Sequence, residues 1–84
     1  MEYDEEKVDE VTLALMWVVL HDESSYGARV WKGFDWETLD RLHKKGIIGD
    51  PASKAKSVTM STESVELARS LFEKHFGVTN SKTP

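Results

Sequence analysis

Imidazole and carboxylate stand together twice in this chain, as His21-Asp22-Glu23 and as Asp40 with His43, and both groupings suit metal ligation or proton transfer. Neither has a third group at a recognised spacing. The expected roles are therefore plainer: His21 lies near the negative end of a helix, and His43 and His75 are surface groups. With no cysteine in the sequence, disulfides, thiolate nucleophiles and thiolate metal sites are excluded. No glycine-rich phosphate loop, nucleophile elbow, paired zinc motif or calcium loop occurs either. The expectation is a protein that is not an enzyme, with no catalytic residue, no metal site and no cofactor.

The cations suggest a different chemistry. Arg41, Lys44 and Lys45 fall on one predicted helix and Lys54 and Lys56 on the loop that follows, so together they could grip a nucleic-acid backbone. Asp35, Glu37 and Asp40 share that helix and cancel its charge, which favours a solvated surface of mixed sign. The net charge of −4 is unevenly spread. Residues 1–23 carry eight acids and one base, residues 24–61 seven bases and four acids, and residues 62–84 three of each. The acidic first segment could imitate nucleic acid, although acids at a helix start have a simpler cause in the helix dipole. A third grouping, Trp31, Phe34 and Trp36, could form a stacking platform or an interface hot spot. Flanking a helix start, these rings are expected in the core, with one Trp partly exposed.

Eighty-four residues allow one core, because a chain of this size buries only about 60–65% of its extended surface. At 39% hydrophobic residues it has enough apolar surface to fold without a metal or cross-link. The longest apolar run, Leu13 to Leu20, is far short of the roughly 20 residues that span a bilayer, and the acidic N-terminus does not read as a signal peptide. A cytoplasmic protein with no membrane contact is expected.

The spacing predicts a helix from about Asp4 to His21, with Val8, Val11, Leu15 and Val18/Val19 on one apolar face. Leu13, Met16, Trp17 and Leu20 fall on other faces, so the last two turns are apolar nearly all round. Such a helix is central in a core or shared with a second subunit, and a homodimer is expected. Its candidate interface is Leu13, Met16, Trp17 and Leu20, joined by Phe72 and Phe76 of the last helix.

Asp22 to Gly33 reads as a loop with Ser24, Ser25 and Gly27, containing a short strand over Ala28–Trp31. Asp35 can cap, and Phe34 staple, a second helix from Trp36 to Lys45, which Gly46 stops. Ile47-Ile48 then makes a brief strand, Gly49-Asp50-Pro51 a turn, and Ser57–Met60 an alternating strand that completes a hairpin. Ser61 can cap a last helix whose stripe is Val65, Ala68, Phe72 and Phe76, with Leu71 beside it; Gly77 ends it. One domain is expected over residues 1–77, followed by a polar, disordered tail over 78–84.

Leu39, Leu42, Gly46, Ile47 and Ile48, followed by Lys56-Ser57-Val58-Thr59-Met60-Ser61 leading into a helix, resemble the back half of winged-helix DNA-binding domains. That resemblance implies an α+β fold of three main helices with a small antiparallel β-hairpin or three-stranded sheet, the first group closing the recognition helix and the second forming the outer strand of the wing. Its two-helix reading motif needs an extra helix within Ser24–Val30. The segments Trp31-Lys32-Gly33-Phe34-Asp35-Trp36, Leu39-Asp40-Arg41-Leu42-His43 and Lys54-Ala55-Lys56-Ser57-Val58 look like an uncharacterised bacterial family of short proteins, a domain of unknown function. The likeness covers most of residues 3–76, departing in the Ser24–Val30 loop and at Ser64, where a Gly is usual. It implies a fold and no activity. The function expected is a small non-catalytic protein-interaction module, dimeric and with an unidentified protein partner. The alternative is a winged-helix transcription-regulator-like DNA-binding domain using Arg41, Lys44, Lys45, Lys54 and Lys56.

Overall fold

Asp4 opens the first helix by accepting a hydrogen bond from the Lys7 amide at 3.1 Å, with Glu5 and Glu6 in the first turn where the helix dipole favours negative charge. The computed structural model describes residues 1–78. In chain order it contains α1 (Glu5–Val18), β1 (His21–Ser24), β2 (Gly27–Trp31), α2 (Trp36–Lys44), β3 (Ser57–Met60) and α3 (Thr62–Phe76). The strands form one antiparallel sheet in the order β1-β2-β3. Three helices and a three-stranded sheet make the expected α+β fold, and of the tail expected over 78–84, all but Val78 lies outside the described residues.

Both later caps form as the sequence indicates. The Asp35 carboxylate accepts from the Thr38 amide at 3.1 Å, and Ser61 Oγ accepts from the Ser64 amide at 3.1 Å. The Ser64 hydroxyl donates to the Ile47 carbonyl at 2.6 Å, tying the start of α3 to the segment after α2.

Strand pairing differs from expectation. Ser24–Val30 contains no helix: α1 stops at Val18, short of the expected His21, and β1 and β2 form a hairpin across the two-residue turn Ser25-Tyr26, so that His21, expected at the helix end, and Asp22–Ser24, expected as loop, are strand. Only α2 stands between this hairpin and β3, and the two-helix reading motif is absent from the described residues. Ile47-Ile48 makes no strand and meets β3 only through the bridge from Ile48 to Met60. The ladder of β3 runs instead along β2, from Ala28 opposite Met60 to Trp31 opposite Ser57. Gly46, at φ 76°, turns the chain sharply off α2, contact with β3 ends with the Gly49 amide donating to the Thr59 carbonyl at 2.9 Å, and Lys32 holds the returning loop through its Nζ to the carbonyls of Pro51 (2.8 Å) and Ser53 (2.7 Å).

Alternation along β2 turns Ala28 and Val30 inward. With Val58 and Met60 of β3 they form a floor that meets Leu13 and Met16 of α1, Leu39 and Leu42 of α2, Ile48, and Ala68 of α3. Gly27 sits at φ 138° where β2 begins, and a Cβ there would collide with the Met60 carbonyl. Gly27→Ala is therefore expected to cost more than about 1 kcal/mol, while Gly33→Ala, whose Cβ would meet nothing, stays near neutral. Urea-unfolding midpoints of the two variants check this.

Candidate functional site

Asp9 lies on the inner face of α1, one turn before Leu13 and in line with Met16, and it is 2% exposed. A carboxylate this buried loses several kcal/mol of hydration and needs cations around it. α2 supplies them. Arg41 donates through Nε at 2.8 Å and Nη2 at 2.8 Å to Oδ1, and Lys45 Nζ reaches Oδ2 at 2.9 Å. Lys45 also meets Glu6 at 3.0 Å, Arg41 Nη1 lies 3.6 Å from Glu5, and Arg41 Nη2 donates to Thr38 Oγ1 at 3.2 Å. Hydrogen bonds to Asp9 and then Glu6 outweigh partial burial and hold the Lys45 ammonium above its ordinary 10.5. A raised value means that this contribution to stability is complete below 10.5 and fades only as the pH climbs past it.

The five cations singled out in the sequence are thus divided. Arg41 and Lys45 point back at the acidic first helix, and Lys44 pairs with Asp40 at 3.0 Å on the exposed side of α2. Lys54 and Lys56 stand exposed before β3 and form no ion pair among the described residues. Of the acids in the first segment, Glu5, Glu6, Asp9 and Glu10 are engaged by cations of α2 and α3, with Glu5 and Glu6 still exposed.

The histidines are placed separately. His21 stacks on Trp31 with ring centres 4.3 Å apart, and His43 Nδ1 lies 3.3 Å from the Ile48 carbonyl. His75, expected at the surface, is mostly covered: its Nε2 is 2.8 Å from Glu10, which Lys74 also reaches at 3.0 Å. The hydrogen bonds of His75 and then Lys74 hold the Glu10 carboxyl below its ordinary 4.5. Of the aromatic trio only Phe34 packs on the core; Trp31 and Trp36 are 55% and 59% exposed, one ring more than expected. Each projects from the end of an element, Trp31 on the outward side of β2 and Trp36 at the first position of α2, where the core does not reach.

The candidate dimer residues fall mainly inside. Leu13 and Met16 are 1% and 0% exposed, spent on the protomer's own core. Trp17 is half-buried against Phe72 (5.1 Å between rings), Phe72 against Phe76 (5.2 Å), and Leu20 packs on the core edge. Phe76 is 44% exposed. The face that spacing alone assigns to the core looks outward instead, with Leu15, Val18 and Val19 exposed and Val8 and Val11 half-buried. Asp9, held by Arg41 and Lys45, lies on the side that turns in, and its signal in the sequence is an acid in register with Leu13 and Met16.

The model of a domain of unknown function, DUF6429, matches residues 4–78. The chain belongs to this family. A relative, the uncharacterized protein y4hR of Sinorhizobium fredii (strain NBRC 101917 / NGR234), is 46% identical over 76 residues, covering 90% of this chain and 97% of that protein. No solved structure matches this DUF6429 chain. No helix among the described residues is long and apolar enough to cross a membrane.

Asp9→Ala leaves Arg41 and Lys45 facing each other with only the exposed Glu5 and Glu6 as counter-ions and is expected to cost about 3 kcal/mol, the lower part of the range for breaking a buried pair because both cations keep those partners and some contact with water. Lys45→Ala is expected to cost under about 1 kcal/mol, as Arg41 still satisfies Asp9. Chemical denaturation separates the two. The depressed Glu10 carboxyl contributes stability above 4.5 that is lost as the pH falls through its folded-state value, so Glu10→Gln should flatten the acid limb of a stability–pH curve.

Proposed function

We propose that this protein is a small, non-catalytic, cytoplasmic interaction module with a winged-helix-like α+β core, which self-associates through the outer face of α1. The single observation behind this reading is the strip Val8, Val11, Leu15, Val18 and Val19, which leaves three large apolar side chains 43–57% exposed with no ionisable group among them. A net charge of −4 and an acid-rich helix start make two copies repel one another along most approaches. An uncharged helix face is the surface on which a copy meets itself without opposing like charges, as a two-fold interface requires.

Magnitude limits the affinity. Covering what remains exposed on each apolar side chain is worth roughly 1 kcal/mol, so five of them on two copies supply about 10 kcal/mol. Association costs an estimated 4–15 kcal/mol. The dimer belongs in the weak, concentration-dependent class.

The reading of the chain as a transcription-regulator-like DNA-binding domain keeps one support, the exposed and unpaired Lys54 and Lys56. It needs Arg41 and Lys45 to leave Asp9, at the cost of a bare buried carboxylate.

Sedimentation equilibrium of the full chain from micromolar to high micromolar concentration is expected to show a monomer–dimer equilibrium, with Leu15→Asp and Val18→Asp monomeric and equally stable. Strictly monomeric wild-type protein at the top concentration overturns the self-association. Micromolar binding to random-sequence duplex DNA that fades between about 50 and 200 mM salt would replace it with the DNA reading.

A further inference from the structure

A groove of about 520 Å³ lies where the first turn of α1, the start of α2 and the turn after Gly49 meet, within the size range of ligand clefts. Trp36 forms one wall and Pro51 and Ala52 another. Folding does not explain this indole: Phe34 takes the place in the core beside the helix start, whereas Trp36 is 59% exposed and makes no ring contact among the described residues.

The rim has one sign. Glu5, Glu37, Asp40 and Asp50 line the groove, and the only cation among them, Arg41, is already balanced by Asp9. Asp50 accepts from the Ala52 amide through Oδ1 alone, and Glu37 makes no side-chain hydrogen bond among the described residues. Asp40 pairs only with Lys44, an exposed and readily exchanged contact. The wall opposite Trp36 is held in place, since Lys32 fixes the carbonyls of Pro51 and Ser53. An exposed indole face beside a negative rim complements a cation, and a guanidinium suits it better than an ammonium because it stacks flat on the ring while forking toward carboxylates.

We propose that this groove captures an arginine side chain carried by a partner polypeptide. Its walls come from three separate elements and nothing among the described residues closes over it, so a free small cation keeps much of its water there. A polypeptide gains its remaining contacts beyond the groove. The site is separate from the outer face of α1 and does not depend on self-association.

The test is a titration of the isotope-labelled full chain with a blocked Gly-Gly-Arg-Gly-Gly peptide, its citrulline counterpart and free arginine amide, following the Trp36 indole N–H resonance assigned through Trp36→Phe. The arginine peptide is expected to give a saturable shift, weakened by salt and stronger than that of arginine amide, with none from citrulline. Trp36→Ala, whose exposed ring leaves the fold intact by circular dichroism, should weaken binding by roughly five- to thirtyfold as read from the amides of α2, the range a cation over an indole supplies. Glu37→Gln with Asp40→Asn should weaken it as well, and Val18→Asp should leave it unchanged. An equal shift with citrulline, an unaltered affinity in Trp36→Ala, or arginine amide binding as tightly as the peptide each overturns the proposal.

Discussion

One buried carboxylate orders this molecule. Asp9 cannot lie at 2% exposure beside Leu13 unless cations reach it, and the cations come from Arg41 and Lys45, 32 and 36 residues away. Meeting that requirement sets α2 against α1 and turns the Leu13 and Met16 side of α1 inward. It also commits two of the most suggestive basic side chains to the interior. A buried pair of this kind adds little net stability over a well-packed apolar alternative, but losing either side is costly, and that asymmetry fixes the arrangement.

The outward consequences follow from the same choice. Because the last two turns of α1 are apolar on nearly every side, placing one face inward leaves another in water, and the face left out is Leu15, Val18 and Val19. Among the described residues two surfaces stand unused, an apolar strip along α1 and an acidic groove around Trp36 at the start of α2. The first suits a copy of the chain and the second a cationic side chain. At the groove an approaching phosphate would face an acidic rim, and Arg41 and Lys45 are already engaged by Asp9.

Secondary ties around this centre are local and of ordinary strength. His75 and Lys74 hold Glu10, pinning α3 to α1, and Ser64 holds the Ile47 carbonyl. Lys32 steadies the long return between α2 and β3 through two carbonyls, which lets a stretch without regular structure carry a buried proline and deliver β3 to its place beside β2. Family membership adds a shared framework without an activity, so the functional reading rests on these surfaces alone.

The sequence by itself determined what is local. The caps Asp35 and Ser61, the stops at Gly46 and Gly77, the three helices, the strands at 28–31 and 57–60 and the α+β class were legible because each depends on side chains within a turn or two of the backbone they satisfy. The tertiary structure alone decided which face of an all-round apolar helix is buried, which strand β3 joins, and whether a cation on α2 faces solvent or Asp9. Periodicity cannot choose between two apolar faces, and an alternating strand pairs as readily with Ile47-Ile48 as with β2 until chain reach and close packing select one. The strand at 21–24 was illegible for a related reason. His21-Asp22-Glu23-Ser24 has no apolar alternation of its own and becomes a strand only because β2 lies beside it.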